Sequence, residues 1–182
     1  MSIFKFFGFS SDSSAEGADA NQTETVRKIV ARLDAMPPQQ ARFIAAFAFM
    51  LSRVANADLD ISKDEVQEME RLVVVEGGLT EEQAIIVVQI AKSQNLLFGG
   101  TENYLVAKEF HQLASRDDKL RLLRCLFAVG AADDSISATE NNVVRQIAEE
   151  LNLEHRDFIE VRSAFRDKLG VFQEGKDPQE PS

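Results

Sequence analysis

The chain has few of the side chains on which enzymes and disulfide-stabilised folds most often depend. It contains one cysteine, no tryptophan, one tyrosine and two histidines among 182 residues. A single cysteine excludes an intramolecular disulfide, and Cys125 lies within the apolar run 122–127, which favours a small core residue over a nucleophile. Neither His111 nor His155 has a Cys or carboxylate at a helical metal-ligand spacing, so we expect both at the surface.

The motifs of the common catalytic classes are also missing. The chain has no glycine-rich phosphate loop and no nucleophile elbow. No histidine or lysine is identified as a partner that would separate the pKa values of two carboxylates in the acidic motifs, as acid–base catalysis usually requires. We therefore expect no enzymatic activity, with a carboxylate-based, metal-dependent enzyme as the weaker alternative.

Long hydrophobic runs and excess positive charge are absent too. The longest nearly apolar stretch, residues 43–51, has half of the roughly 18 residues needed to span a bilayer, and the amino-terminal sequence does not match a cleavable signal peptide. With 30 acidic and 20 basic residues the formal net charge is −10, which disfavours binding to a phosphate backbone. These features predict a cytoplasmic protein that binds no nucleic acid.

The amino-terminal segment combines an aromatic cluster with a polar linker. Five large apolar residues lie within the first nine positions: Ile3, Phe4, Phe6, Phe7 and Phe9. Residues 10–20 are rich in Ser, Ala, Gly and Asp, which is typical of a flexible linker. The cluster can be disordered, fold back onto the domain or make weak membrane contact, and one lysine gives little attraction to anionic lipid.

Apolar residues recur at helical spacing through the rest of the chain and predict an all-α bundle of about eight helices. The first helix is expected from Thr23 to about Met36, and a last helix is expected to reach Leu169. The β-branched runs 72–75 and 85–88 could instead pair as a hairpin, but the long connection between them contains a helix cap, which favours helices. We predict a flexible segment over 1–21, a helical domain over 22–170 and a disordered tail over 171–182.

One acidic stretch occurs twice. Residues 51–65 and 126–140, which lie 75 positions apart, are identical at seven of fifteen positions, where unrelated sequences would give about one. Each copy contains the pattern Ala-Asp-x-x-Ile-Ser-x-x-Glu at the junction of two predicted helices. The repeat predicts two related halves, each with an acidic turn: the first acidic turn (residues 57–62) and the second acidic turn (residues 132–137).

Each acidic turn is followed by a predicted helix cap. Ser62 and Ser137 stand at N-cap positions with Glu65 and Glu140 three residues later, which is the pattern of a capping box. The aspartates before the caps need another explanation, because an anion in the last turn of the preceding helix is disfavoured by about 0.3–1 kcal/mol. An Asx-turn, the amino end of the next helix or a bound cation would each offset this cost.

The repeated motif, in an acidic and apparently all-helical chain, resembles the TerB-like family, which includes tellurite-resistance proteins and the amino-terminal domain of a co-chaperone. The resemblance covers roughly Thr23 to Leu169. It implies a helical bundle of two related halves, no established catalytic activity and acidic residues proposed to bind a metal ion. The family pattern usually has Gly after the Asp, where this chain has Leu59 and Asp134.

The acidic turns supply the hard oxygen ligands that Ca²⁺ or Mg²⁺ prefers. The candidate metal ligands are Asp58, Asp60, Glu65, Asp133, Asp134 and Glu140. Three carboxylates per turn make an incomplete coordination shell, and the glycine and the bidentate glutamate of an EF-hand loop are absent. The residues alone therefore favour caps and turns without a metal, with a cation site as the alternative.

The most consistent functional interpretation is a non-catalytic, metal-responsive or adaptor protein in a bacterial stress response of the tellurite-resistance type. Such a protein is expected to act through a protein partner, and the only candidate cofactor is the divalent cation. The alternative is a peripheral membrane scaffold that uses the amino-terminal phenylalanines.

Overall fold

The computed structural model of the protein describes residues 20–55, 63–93, 103–132 and 134–170. Eight α-helices occupy these ranges: α1 Ala20–Asp34, α2 Pro38–Val54, α3 Lys63–Val75, α4 Glu81–Lys92, α5 Asn103–Leu113, α6 Arg116–Gly130, α7 Ala138–Glu150 and α8 His155–Ser163. The described ranges contain no β-strand, so the predicted all-α bundle is confirmed. None of these helices is long and apolar enough to cross a membrane.

Helix α2 lies at the centre of the bundle. Its first residue is Pro38, whose fixed backbone angle suits the first turn of a helix, and eleven of its residues are buried. It packs against α4, α5, α6 and α7. Small residues permit this close approach, since Ala45, Ala46 and Ala48 are fully buried. A helix that is apolar on nearly every side must be surrounded by others, so α2 organises the bundle.

The β-branched runs are helical, as predicted. Residues 72–75 belong to α3 and residues 85–88 to α4, and the two helices pack against each other. The turn between them requires Gly78, which has a φ of +69°. The predicted capping box then starts α4: the Thr80 hydroxyl accepts a hydrogen bond from the Gln83 amide at 3.3 Å, and the Thr80 amide donates to Gln83 Oε1 at 3.0 Å.

The last helix is shorter than predicted. Helix α8 ends at Ser163, a 3₁₀ turn covers Arg166–Lys168, and Leu169 forms an isolated parallel bridge with Ile136. The Ile136 amide donates to the Lys168 carbonyl at 2.7 Å, and the Gly170 amide donates to the Ile136 carbonyl at 3.0 Å. These bonds require extended backbone at Leu169. Leu169 is buried, as its apolar spacing indicated, but it is buried in an extended conformation and not in a helix.

The predicted domain boundaries stay predictions. Helix α1 begins at Ala20, inside the segment expected to be flexible, and ends at Asp34, two residues before the expected end. The aromatic cluster and the predicted tail over 171–182 lie outside the described residues.

Part of the helix packing fits two related halves. In two related halves, α1–α4 would correspond to α5–α8. Helix α4 packs on α2, and its counterpart α8 packs on α6. Helix α2 packs on α7, and the corresponding pair, α6 and α3, is also in contact. Other packing is one-sided, since α2 packs extensively on α5 while α6 does not pack comparably on α1. The division into two related halves therefore stays a prediction from the repeat.

An ion pair ties the carboxyl end of α2 to that of α7. Arg53 donates to both carboxylate oxygens of Glu150, at 2.5 and 3.1 Å, and the Arg53 side chain is only 9% exposed. A partly buried pair of this kind is costly to break, because the remaining charge stays in a poorly solvated position.

We expect Arg53→Met to lower the free energy of unfolding by about 3 kcal/mol, because the Glu150 carboxylate then lacks its partner. Arg42→Met is the matched control. Arg42 pairs with Glu109 at 3.5 Å and its side chain is 42% exposed, so its loss should cost less than about 1 kcal/mol. Urea denaturation measures both values, and equal losses would contradict the role given to the Arg53 pair.

Candidate cation site at the acidic turns

The two helices that precede the acidic turns in the sequence end next to each other. Helix α2 ends at Val54 and α6 ends at Gly130, and a methyl group in place of the Gly130 hydrogen would lie 3.5 Å from Val54 Cγ1. The first acidic turn follows α2 in the sequence and the second follows α6, so the contact between these two helix ends is relevant to both turns.

The second acidic turn has a left-handed residue at Asp134, with a φ of +70°. The Asp134 amide donates to the Ala131 carbonyl at 3.0 Å and closes the turn. Aspartate is one of the few non-glycine residues that tolerate this conformation. Asp134 stands where the TerB-like pattern usually has glycine. The residue type therefore differs from the family pattern, but the backbone conformation is one that glycine typically adopts.

The Asp134 carboxylate is held by a lysine from the end of the described chain. Lys168 Nζ donates to Asp134 Oδ1, and this hydrogen bond together with the lysine charge lowers the pKa of Asp134 below its ordinary value. The bridge between Ile136 and Leu169 places Lys168 at the turn. An intramolecular cation therefore already neutralises one predicted metal ligand.

The predicted capping box at the start of α7 is confirmed. The Glu140 amide donates to Ser137 Oγ at 3.2 Å, and the Ser137 amide donates to Glu140 Oε2 at 2.8 Å. The other carboxylate oxygen faces the contact between the central helices, because a methyl group on Gly130 would lie 3.8 Å from Glu140 Oε1. One oxygen of Glu140 thus serves the cap, while the second points toward the junction of α2 and α6.

The first acidic turn is only partly described. Asp58, Asp60 and Ser62 lie outside the described residues, as does Asp133 of the second turn, and their predicted roles stay predictions. Glu65 is exposed in the first turn of α3. Within the described ranges, no three His, Cys, Asp or Glu side chains form a cluster that could hold a metal ion. The oxygen donors themselves are of the type that suits Ca²⁺ or Mg²⁺.

Two residues that shape this region were not identified from the sequence. Gly130 could have been noticed, because it is the one glycine in α6 and stands in its apolar final turn. Lys168 carries no comparable signal, since it is 34 residues away from its partner Asp134 and its neighbours resemble a helix.

The cysteine and the histidines contribute little reactive chemistry. Cys125 is fully buried and burial raises its pKa to about 12, which confirms it as a core residue. His155 is exposed, as predicted. His111 is half-buried, which corrects the expectation of a surface position: its Nδ1 lies 2.9 Å from the Leu151 carbonyl and 2.9 Å from Lys119 Nζ, because α5 packs on α7.

We expect Lys168→Gln to raise the pKa of Asp134 toward its ordinary value of 3.8, because the hydrogen bond and the nearby positive charge are lost. Since the pKa is lowered in the folded protein, the pair stabilises the fold above pH 3.8, and this contribution disappears as the pH falls through the lowered value. Carboxylate NMR titration measures the pKa. Lys92→Gln on the exposed side of α4 is the control, and an unchanged Asp134 pKa in Lys168→Gln would contradict the pairing.

Comparison with known proteins identifies the family. A family model described as tellurite resistance protein TerB matches residues 43–163, which run from α2 to the end of α8 and include both acidic turns. No curated protein and no solved structure gave a significant match. The matched region covers most of the chain, including the carboxyl ends of α2 and α6 and both acidic turns, and on this basis the chain belongs to the TerB family.

Proposed function

We propose that this TerB domain is a non-catalytic, cation-responsive adaptor in which both acidic turns contribute to one site for Ca²⁺ or Mg²⁺. The observation that carries the proposal is the contact between Val54 and Gly130, because it starts both turns from the same end of the bundle. Membership of the TerB family supports the further proposal of a role in a bacterial stress response of the tellurite-resistance type.

A shared site supports the coordination chemistry better than two separate ones. Ca²⁺ takes six to eight oxygen ligands, and Mg²⁺ takes six in a strict octahedron, so the three carboxylates of one turn leave either shell incomplete. Pooling the acidic residues of both turns brings six carboxyl groups within reach. In this arrangement Asp58 and Asp133 anchor the ion, and Glu140 Oε1 faces the same region.

Lys168 gives the site a way to respond. Its ammonium group holds Asp134, so an incoming cation and Lys168 compete for the same carboxylate. Release of Lys168 would remove one of the contacts that hold the segment 166–170 at the second turn, while its backbone bonds to Ile136 would remain. Cation binding would thereby change the charge and the surface at this end of the bundle, where a protein partner would bind.

At a cation concentration about one hundred times Kd, binding should stabilise the fold by about 2.7 kcal/mol, and the melting temperature should rise by roughly 5–10 °C. Asp58→Asn and Asp133→Asn should each remove most of this rise if the site is shared. Two independent sites would leave about half in each single variant. Thermal melting with Ca²⁺, Mg²⁺ and EDTA measures the shift, and calorimetry should give one ion per chain.

Two variants serve as controls. Asp64→Asn removes an exposed carboxylate from the first turn of α3 outside the ligand set and should retain the full shift. Ser137→Ala should lower stability by about 1 kcal/mol with or without cation, because it removes a cap. If the wild-type protein melts at the same temperature in millimolar Ca²⁺, millimolar Mg²⁺ and EDTA, the cation-responsive role is wrong.

A further inference from the structure

A groove of about 320 Å³ lies between α3 and α4, on residues that the acidic turns do not include. Its apolar part is formed by Val74, Val75, Ala84 and Ile85. Val75 is 61% exposed, one of three large apolar side chains in the described ranges with substantial exposure. A cavity of about 150 Å³ holds one benzene ring, so this groove has room for about two aromatic side chains.

The rim of the groove is negatively charged. Glu70 and Glu81 line it together with Arg71. The guanidinium of Arg71 is already bound to Glu68, through hydrogen bonds of 2.8 and 2.6 Å, so its charge is neutralised locally. Glu70 and Glu81 therefore set the sign of the rim, which favours an occupant that is aromatic and carries a positive charge.

We propose that the amino-terminal aromatic segment, residues 3–9, binds in this groove of its own chain. It supplies four phenylalanines for the apolar part and Lys5 for the acidic rim. The segment thus complements the groove in both hydrophobicity and charge. The negative charge of the whole chain, −10, also disfavours an anionic lipid surface as the alternative place for these side chains.

The linker is long enough for this contact. Arg32 in α1 donates to Gln89 in α4 at 3.4 Å, so the two helices lie side by side near the groove. With a rise of 1.5 Å per residue and packed helices about 8–10 Å apart, Ala20 lies within about 35 Å of Ile85 even if α1 points away. Twelve extended residues span about 40 Å, so residues 8–19 can bring Phe6 and Phe7 to the groove.

Disulfide trapping in the full chain tests the proposal. Gly8→Cys keeps every phenylalanine and is combined with either Val75→Cys in the groove or Leu105→Cys on α5. These two positions are matched, being 61% and 60% exposed, and α5 packs on α2 and α7 rather than on α3 or α4. The buried native Cys125 does not compete. We expect the Val75→Cys pair to form an intramolecular disulfide about tenfold faster, because binding raises the effective concentration.

Charge reversal supplies a second measurement. Glu70→Lys with Glu81→Lys, added to the groove pair, should slow disulfide formation toward the rate of the Leu105→Cys pair. Equal rates for the two pairs, disulfides that form only between chains, or no effect of the charge reversal would overturn the proposal. Equal rates together with cosedimentation on phosphatidylcholine and phosphatidylserine vesicles would assign the segment to a membrane surface instead.

Discussion

The structure depends on the burial of α2. Eleven of its residues are buried, and a helix with so little polar surface is stable only when other helices cover it. Helices α4, α5, α6 and α7 provide that cover. Aromatic packing supports the arrangement, with the rings of Phe43 and Phe110 5.1 Å apart across α2 and α5. Charged groups are consequently displaced to the ends and outer faces of the bundle.

The helix ends are where the charged chemistry collects. Arg53 at the end of α2 reaches Glu150, and Arg116 at the start of α6 binds Asp157, a carboxylate that is only 3% exposed. Asp157 also accepts a hydrogen bond from the Glu154 amide at 3.1 Å, so its buried charge is satisfied twice. These pairs determine how the helix ends meet, and the acidic turns extend from the same framework.

In the second acidic turn, residues with a structural role are also among the ligands of the proposed cation site. Glu140 gives one oxygen to the cap at Ser137 and turns the other toward Gly130. Asp134 adopts a left-handed conformation and is neutralised by Lys168. Asp134 therefore already has a positively charged partner within the chain, and a cation at the proposed site would have to compete with this lysine.

Local patterns in the sequence determined the helices and their starts. The boxes at Thr80, Ser115 and Ser137 need only a hydroxyl and an acceptor three residues apart, so short-range spacing specifies them. Helical periodicity outweighed the β-branched runs for the same reason. The repeat likewise identified the two acidic turns as the candidate site.

Contacts between distant residues were decided only by the tertiary structure. The last helix was predicted to reach Leu169, but backbone pairing with Ile136 replaces its final turn, and no local pattern encodes that partner. Lys168 meets Asp134 because the bridge between Ile136 and Leu169 places the lysine at the turn, and Gly130 meets Val54 because α2 packs on α6. Residue types and spacing thus determined which chemical groups the candidate site contains. The packing of the central helices decided which of these groups face one another, because contacts between distant residues depend on how the whole core is filled.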